Sequence, residues 1–215
     1  MDNINISLED LFDTLKHTSV LPDTGYYQYY KLLKNRTILI NEQIDSRLVE
    51  NAMLPLLEFD NDGTGGPIEI ILNTVGGSTF DGMALCDIID NLKTPTTITV
   101  MTYANSMGSI ILMAGANNPM VHKRCYKHST ALVHAGRKYL EGNSNAVKDQ
   151  FCFYQNFDAL IKEYTLSHTK ITEEEYTDME RFEWYMTSDT MLKKGLVDEI
   201  IGVAEPTKPV ENPTS

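Results

Sequence analysis

Three short motifs of the chain carry the residue types that acyl-transfer chemistry needs. A predicted strand ends in Asn73-Thr-Val-Gly-Gly-Ser78, the segment Ala104-Asn-Ser-Met-Gly108 opens an apolar run, and Leu132-Val-His134 ends a strand-like segment. In this order they supply a glycine turn with free backbone N–H groups, a serine at a helix start and a histidine. These are oxyanion donors, a nucleophile and a general base. The combination predicts a serine hydrolase.

Ser106 is the predicted nucleophile, because a serine on the turn between a strand and a helix has its hydroxyl lifted clear of the backbone. The apolar run behind it predicts a buried helix up to Ala116, whose N-terminus adds positive potential where an oxyanion would form. The N–H of Met107 is one expected donor to that oxyanion. The pair Gly76-Gly77 is expected to supply the second, because glycine lets the backbone approach a ligand closely.

The composition limits the class of protein. A chain of 215 residues is long enough for one α/β domain and short for two. Its net charge of −12 argues against a nucleic-acid partner and against an anionic membrane surface. The start of the chain lacks the basic segment of a secretory signal, and no apolar run approaches the ~20 residues of a membrane span. Because the cysteines show no CxxC spacing, we expect a reduced, cytoplasmic setting.

Strand-like and helix-like segments alternate along the chain, which predicts right-handed βαβ units in one α/β domain. Strands are expected over residues 36–40, 68–72, 97–101 and 130–133. Helices are expected over 7–17, 45–57, 80–92, 106–116, 145–168, from 172 onwards and over 187–194. His122 and His128 lie in a Lys/Arg-containing segment and are expected to be solvated.

The motifs together resemble one protein family. Asn73-Thr-Val-Gly-Gly-Ser78, Asp81-Gly-Met-Ala84 and Ala104-Asn-Ser-Met-Gly-Ser109 are similar to the N-S-P-G-G-S, G-M-A and A-S-M-G pattern of the Clp (caseinolytic) protease proteolytic subunit. The resemblance continues through Leu132-Val-His134 and Gly195-Leu-Val-Asp198, and it covers roughly residues 27–202. It implies a ClpP/crotonase-like α/β fold, which is a spiral of stacked βαβ units with a protruding handle helix at about 145–168.

The resemblance also implies which residues form the site. Carried over by position, Ser106 is the nucleophile, His134 is the base, and the N–H groups of Gly77 and Met107 form the oxyanion hole. The family aspartate falls on Glu183, when the alignment is counted back from the last motif. A glutamate can still orient the histidine and stabilise its imidazolium form.

The identity of the third residue stays open at this point. Asp178 and Asp189 are rivals of Glu183, and a Ser-His dyad without an acid is a further alternative.

The implied enzyme is a self-compartmentalising serine endopeptidase that needs no metal or organic cofactor. Its substrates would be short peptides and unfolded polypeptides, the latter delivered by an AAA+ ATP-dependent unfoldase. The subunits would form a heptameric ring, single or stacked as a double ring. The expected domains are an N-terminal extension over 1–25 (a propeptide or an axial segment), a peptidase domain over 26–204 and a disordered tail over 205–215.

Several positions depart from the family pattern. Glu69, Ile71 and Asn91 stand where the family has aromatic residues that line a docking pocket for apolar unfoldase loops. An unpaired carboxylate there would bind such loops poorly. Phe182 replaces an arginine that pairs across two rings, so weak coupling between rings is expected. These departures suggest a divergent member, for which a virus-encoded origin is one explanation.

Two other functions remain as alternatives. A catalytically weak or inactive ring subunit with a structural or regulatory role would explain the glutamate at the acid position. An acyl-CoA enzyme of the crotonase superfamily would share the architecture and the oxyanion hole, although it has no need of a serine–histidine pair here.

Overall fold

One sheet of seven strands organises the structure, a computed structural model that describes residues 24–179 and 181–203. The strands are β1 Thr37–Ile40, β2 Ile68–Thr74, β3 Thr96–Asn105, β4 Val121–Tyr126, β5 Thr130–Val133, β6 Trp184–Thr187 and β7 Glu199–Ile201. The order β1-β2-β3-β4-β7 is parallel throughout. β5 pairs parallel with the end of β3 and antiparallel with β6. The helix predicted over 7–17 and the tail over 205–215 lie outside the described residues.

Helices connect the strands, as the predicted βαβ units require. They are α1 Thr24–Lys34, a π-helical turn Val49–Met53 that continues into α2 Leu54–Asn61, α3 Thr79–Asp90, α4 Met107–Met113, α5 Ser144–His168, α6 Glu173–Met179 and α7 Ser188–Lys194. The expected α/β class and its mostly parallel sheet are therefore confirmed. Among the described helices, none combines the length and the apolar character that a membrane span needs.

The side chains of the central strands alternate between two environments. Along β2, Ile68, Ile70 and Leu72 are at most 1% exposed and pack into the core, whereas the intervening residues are half-buried. This alternation follows from the two-residue repeat of a strand. One face of the sheet therefore packs against the core, and the other carries partly exposed polar and apolar side chains.

The strands predicted from the sequence did not include β4. Its His122 side chain is exposed, as expected, whereas Lys123 is buried between β3 and β7. Burial lowers the pKa of Lys123 despite the favourable charges of Asp198 and Asp90. The strand predicted over 36–40 is found as β1, which begins one residue later at Thr37, after the end of α1 at Lys34.

The long helix α5 protrudes from the sheet, as the resemblance implied. Of its 25 residues only Thr165 is buried. Its C-terminal end is attached to the body of the fold by Asp90, whose carboxylate accepts hydrogen bonds from the Tyr164 hydroxyl at 2.8 Å and the Gly115 N–H at 2.6 Å. His168 lies 3.4 Å from the same carboxylate and stacks on Tyr164. One carboxylate thus connects three segments.

We expect Asp90→Ala to lower the free energy of unfolding by about 1–3 kcal/mol, because the Tyr164 hydroxyl and the Gly115 N–H lose their acceptor. Chemical denaturation followed by circular dichroism measures the change. The matched control is Asp87→Ala, an exposed aspartate on the same helix, which should stay within about 0.5 kcal/mol of the wild type. Equal effects of the two substitutions would contradict this role of Asp90.

Candidate active site

Ser106 stands on a strained turn between β3 and α4. Its backbone has φ 54° and ψ −122°, a conformation that residues other than glycine seldom adopt. Neighbouring groups hold it there: the Ser106 N–H donates to the Leu132 carbonyl at 2.8 Å, and the Ser106 carbonyl accepts from the Ser109 N–H at 2.9 Å. The turn lifts the hydroxyl away from the strand, as expected for a nucleophile elbow.

The glycine turn that follows β2 packs directly against this elbow. A Cβ atom on Gly76, whose φ is +91°, would lie 2.7 Å from the Ser106 Cβ and 2.5 Å from the Asn105 carbonyl oxygen. On Gly77, whose φ is +152°, it would overlap the Ile44 carbonyl oxygen. Both positions therefore require glycine, for close approach as well as for backbone conformation.

The β3–β5 pairing brings the histidine to the serine. β5 runs beside the end of β3, with Asn105 opposite Leu132, so the residues that follow these two strands emerge close together. The Nε2 atom of His134 lies 2.9 Å from the Ser106 hydroxyl oxygen, within hydrogen-bond distance. The His134 side chain is 23% exposed, so it borders the protein interior but remains open to substrate.

Glu183 approaches the histidine from the opposite side. The antiparallel β5–β6 pairs end with Val133 opposite Trp184, and one step further places His134 opposite Glu183. The Oε1 atom of Glu183 lies 3.7 Å from the His134 Nδ1 atom. This distance suits an ion pair and is too long for a hydrogen bond, and the Glu183 side chain is 54% exposed.

The rival acids have other surroundings. Both carboxylate oxygens of Asp189 lie 2.9 Å from the Lys127 amine. Asp178 lies on α6, and within the described residues no hydrogen bond or ion pair joins its carboxylate to His134. Of the three carboxylates weighed from the sequence, only Glu183 is brought to the histidine.

The two expected oxyanion donors lie in the same cleft as the serine. Met107 is the first residue of α4, so its N–H has no acceptor within that helix. The Gly77 N–H makes no hydrogen bond within the described part of the chain, and the residue is exposed. Gly77, Ser106, Met107 and His134 all line one cleft of about 850 Å³. Two free backbone donors beside a serine can stabilise a developing oxyanion.

An aromatic cluster of α3 and α5 lines one side of this cleft. The rings of Phe80 and Phe157 lie 4.8 Å apart, and Tyr154 packs beside them. Residues 135–139, which follow the histidine, line another side. The cleft therefore offers an apolar surface next to the serine hydroxyl.

The segment after the histidine is attached to α5 by side-chain contacts. The Lys138 amine forms an ion pair with Asp158. Gln150 makes two hydrogen bonds with the backbone of Glu141: its side-chain oxygen accepts from the N–H at 3.2 Å, and its amide donates to the carbonyl at 2.9 Å. α5 thereby fixes the position of this side of the cleft.

In the described ranges, 24–179 and 181–203, no three His, Cys, Asp or Glu side chains are grouped to hold a metal ion. Cys86 and Cys125 are buried free thiols. Burial raises the pKa of Cys125 to about 11, which keeps this thiol protonated at neutral pH.

A serine within hydrogen-bond distance of a histidine, on a strained strand-to-helix turn, is the arrangement of a serine-type hydrolase. The sequence model of the family described as Clp protease matches residues 22–204. The chain belongs to this family, and the expected class of enzyme, a serine-type endopeptidase, is confirmed.

The relatives of the chain include several proteins named ATP-dependent Clp protease proteolytic subunit. That of Deinococcus radiodurans is 27% identical over 180 residues, which span 83% of this chain and 86% of the relative. That of Borreliella afzelii is 26% identical over 189 residues, or 85% and 94% of the two chains. Subunit 1 of Salinibacter ruber is 24% identical over 180 residues, or 83% and 76%.

Sequence reasoning missed the side chains that support the site. Tyr185, Lys138 and Asp158 contact candidate residues or border the cleft, but none of them lies within a motif. The spacing of Tyr185 was a partial indication of its role, because it lies two residues after Glu183. In a strand, two residues at this spacing have their side chains on the same face. β6 was not predicted, and without that strand the signal could not be used.

We expect Glu183→Gln to lower the turnover number by about 10²–10⁴-fold, because the amide keeps the shape but lacks the charge that stabilises the His134 imidazolium. Hydrolysis of a fluorogenic peptide measures the loss. Asp189→Asn and Asp178→Asn are the matched controls and should retain nearly full activity. A severe loss in either control would assign the acid elsewhere, and three active variants would indicate a dyad.

Proposed function

We propose that the chain cleaves peptide bonds through Ser106, His134 and Glu183, with the Gly77 and Met107 N–H groups as oxyanion donors. The single observation that carries the proposal is the 2.9 Å contact between the His134 Nε2 atom and the hydroxyl of a serine in a strained backbone conformation. A serine that merely capped a helix would need neither the strain nor the histidine, and the Ser106 side chain makes no capping hydrogen bond to α4.

The chemical steps follow from these positions. The Ser106 oxygen attacks the scissile carbonyl carbon while His134 takes the hydroxyl proton at Nε2. The carbonyl oxygen becomes an oxyanion that accepts hydrogen bonds from Gly77 and Met107. When the C–N bond breaks, His134 returns the proton to the leaving amine and an acyl-enzyme remains. A water molecule, deprotonated by His134, then hydrolyses the ester and restores the serine.

Glu183 acts on the histidine and not on the substrate. In the tautomer that can accept the serine proton at Nε2, His134 carries its own proton on Nδ1, which faces Glu183. The carboxylate favours this tautomer and stabilises the imidazolium that forms during attack. The 3.7 Å separation is that of the free enzyme, and such contacts often shorten when substrate binds.

We propose that the substrates are extended polypeptides. Within the described residues, the backbone groups of 135–140 make no hydrogen bonds, so this segment can pair with an extended chain by strand addition. A folded protein does not present such a strand. The aromatic cluster beside the serine favours an apolar substrate side chain in the cleft.

We further propose that α5 carries the contacts of a ring assembly in the cytoplasm. Phe151, Phe153 and Leu160 are each more than half exposed on this helix, which is more apolar surface than one helix usually leaves to water. Pairing of α5 with a second copy would cover Phe153 and Leu160, which share one face of the helix, whereas Phe151 lies on the opposite face. A ring would enclose the cleft and would restrict the access of folded proteins to it.

We expected an AAA+ unfoldase to dock poorly because Glu69 would present an unpaired carboxylate, and this reason is wrong. Glu69 is not unpaired: its carboxylate accepts from the Thr99 hydroxyl and lies 3.2 Å from the Arg124 guanidinium. The surface of β2, β3 and β4 therefore presents an ion pair and a hydroxyl. An apolar loop would have to cover these groups without replacing their contacts with water, so weak docking remains our proposal.

We expect Ser106→Ala to abolish peptide hydrolysis and labelling by a fluorophosphonate probe, because the hydroxyl oxygen is the attacking atom. Ser46→Ala is the matched control, since Ser46 is an exposed serine whose hydroxyl makes no hydrogen bond in the described structure. Activity above a few per cent in the first variant would overturn the serine mechanism. Absence of labelling in the wild type would favour a structural role for the subunit.

We expect the double variant Glu69→Leu/Arg124→Leu to bind an apolar unfoldase loop peptide about tenfold more tightly than the wild type, because no ion pair is then covered. Fluorescence anisotropy with the labelled peptide measures the affinity. Lys127→Leu/Asp189→Leu, which removes another exposed ion pair, should leave the affinity unchanged. Tight binding by the wild type itself would contradict the proposed weak docking.

A further inference from the structure

We propose that Tyr185 is a positioning residue for Glu183: its hydroxyl holds one carboxylate oxygen so that the other faces His134. This inference rests on the proposed function, in which Glu183 stabilises the histidine.

The two oxygens of the Glu183 carboxylate have different partners. Oε2 accepts a hydrogen bond from the Tyr185 hydroxyl at 2.7 Å. Oε1 is the oxygen that lies 3.7 Å from the His134 Nδ1 atom. A carboxylate is planar, so fixing one oxygen restricts the direction of the other. The tyrosine therefore limits how the carboxylate turns relative to the imidazole.

The strand register makes this contact possible. In the β5–β6 pairing, Tyr185 lies opposite Leu132. Two residues further along β5, His134 lies opposite Glu183. Side chains two residues apart along a strand lie on the same face, so the tyrosine is the neighbour of Glu183 on the face that carries the imidazole. Because β6 is paired with β5 along its whole length, the tyrosine backbone is fixed relative to the histidine.

A glutamate needs such a partner more than an aspartate would. Its additional methylene gives the Glu183 carboxylate one more rotatable bond, and the side chain is 54% exposed, so packing alone does not fix its conformation. A tyrosine side chain has only two rotatable bonds before the hydroxyl, so it loses little conformational freedom when it forms this hydrogen bond. A hydrogen bond to an ionised acceptor is also stronger than one between neutral groups.

The hydroxyl remains a donor over the working range of pH. Its hydrogen bond to Glu183, and the negative charge of that carboxylate, raise the pKa of Tyr185 above its ordinary value. The tyrosine consequently stays protonated at neutral and mildly alkaline pH. A hydroxyl that instead drew the carboxylate away from the histidine would slow the reaction. The two roles predict changes of opposite sign.

The test is Tyr185→Phe in the full-length chain, which removes the hydroxyl and keeps the ring. Since the side chain is 67% exposed, we expect normal folding. We expect kcat for a short fluorogenic peptide to fall about fivefold to tenfold with KM unchanged, and the fluorophosphonate labelling rate of Ser106 to fall in parallel. Tyr126→Phe is the matched control, because this half-exposed tyrosine of β4 has a hydroxyl without a hydrogen bond in the described structure.

Two further readouts separate positioning from a structural effect. In the Glu183→Gln background, Tyr185→Phe should cause no additional loss, because the tyrosine acts through the carboxylate. In the wild-type background, the acidic limb of the pH–rate profile should move to lower pH, because a carboxylate that is free to turn away stabilises the imidazolium less.

Each outcome decides the proposal. A faster Tyr185→Phe enzyme, an unchanged one, an acidic limb displaced to higher pH, or a loss that persists in the Glu183→Gln background would overturn it. Failure of the serine mechanism is recognised separately, because the Ser106→Ala enzyme would then retain its activity. An inactive Ser106→Ala enzyme together with an unaffected Tyr185→Phe enzyme would reject the role of the tyrosine alone.

Discussion

The strained backbone of Ser106 is the constraint on which the rest of the site depends. A non-glycine residue at φ 54° is unfavourable by itself and persists only where its surroundings hold it. Here the Leu132 carbonyl binds the serine N–H from one side, and Gly76 leaves space on the other. The same two contacts determine where the histidine strand and the glycine turn must lie. The strain at Ser106, its contact with His134 and the position of the glycine turn are therefore consequences of one local arrangement.

The parts of the structure that could be predicted are those with local causes. The fold class followed from alternating strand-like and helix-like segments, and the elbow followed from small residues around Ser106. α5 was predicted to within one residue at its start, because the 25-residue helix has a helical apolar pattern; in the structure Asn143 caps it. Each of these signals lies within a short stretch of sequence and needs no knowledge of distant partners.

The parts that could not be predicted depend on pairing between distant segments. β4 was overlooked because Lys123 is charged, yet its stem is buried and its amine lies 3.4 Å from the Gly195 carbonyl. The sequence left three carboxylates as candidates for the residue that faces His134, since the choice among them depends on the β5–β6 register. Glu69 was expected to be unpaired, because a sequence does not show that Arg124 on β4 reaches Glu69 on β2 across the intervening strand β3. Long-range register decided all three.

The departures from the family pattern fall where the fold tolerates change. At the elbow, a Cβ on Gly76 or Gly77 would meet backbone atoms, so these positions leave no room for substitution. Glu183 and Glu69 lie at partly exposed positions, where a new side chain finds water or a polar neighbour at low cost. The glycine turn beside Ser106 can therefore keep the family pattern while Glu183 and the outer sheet surface depart from it.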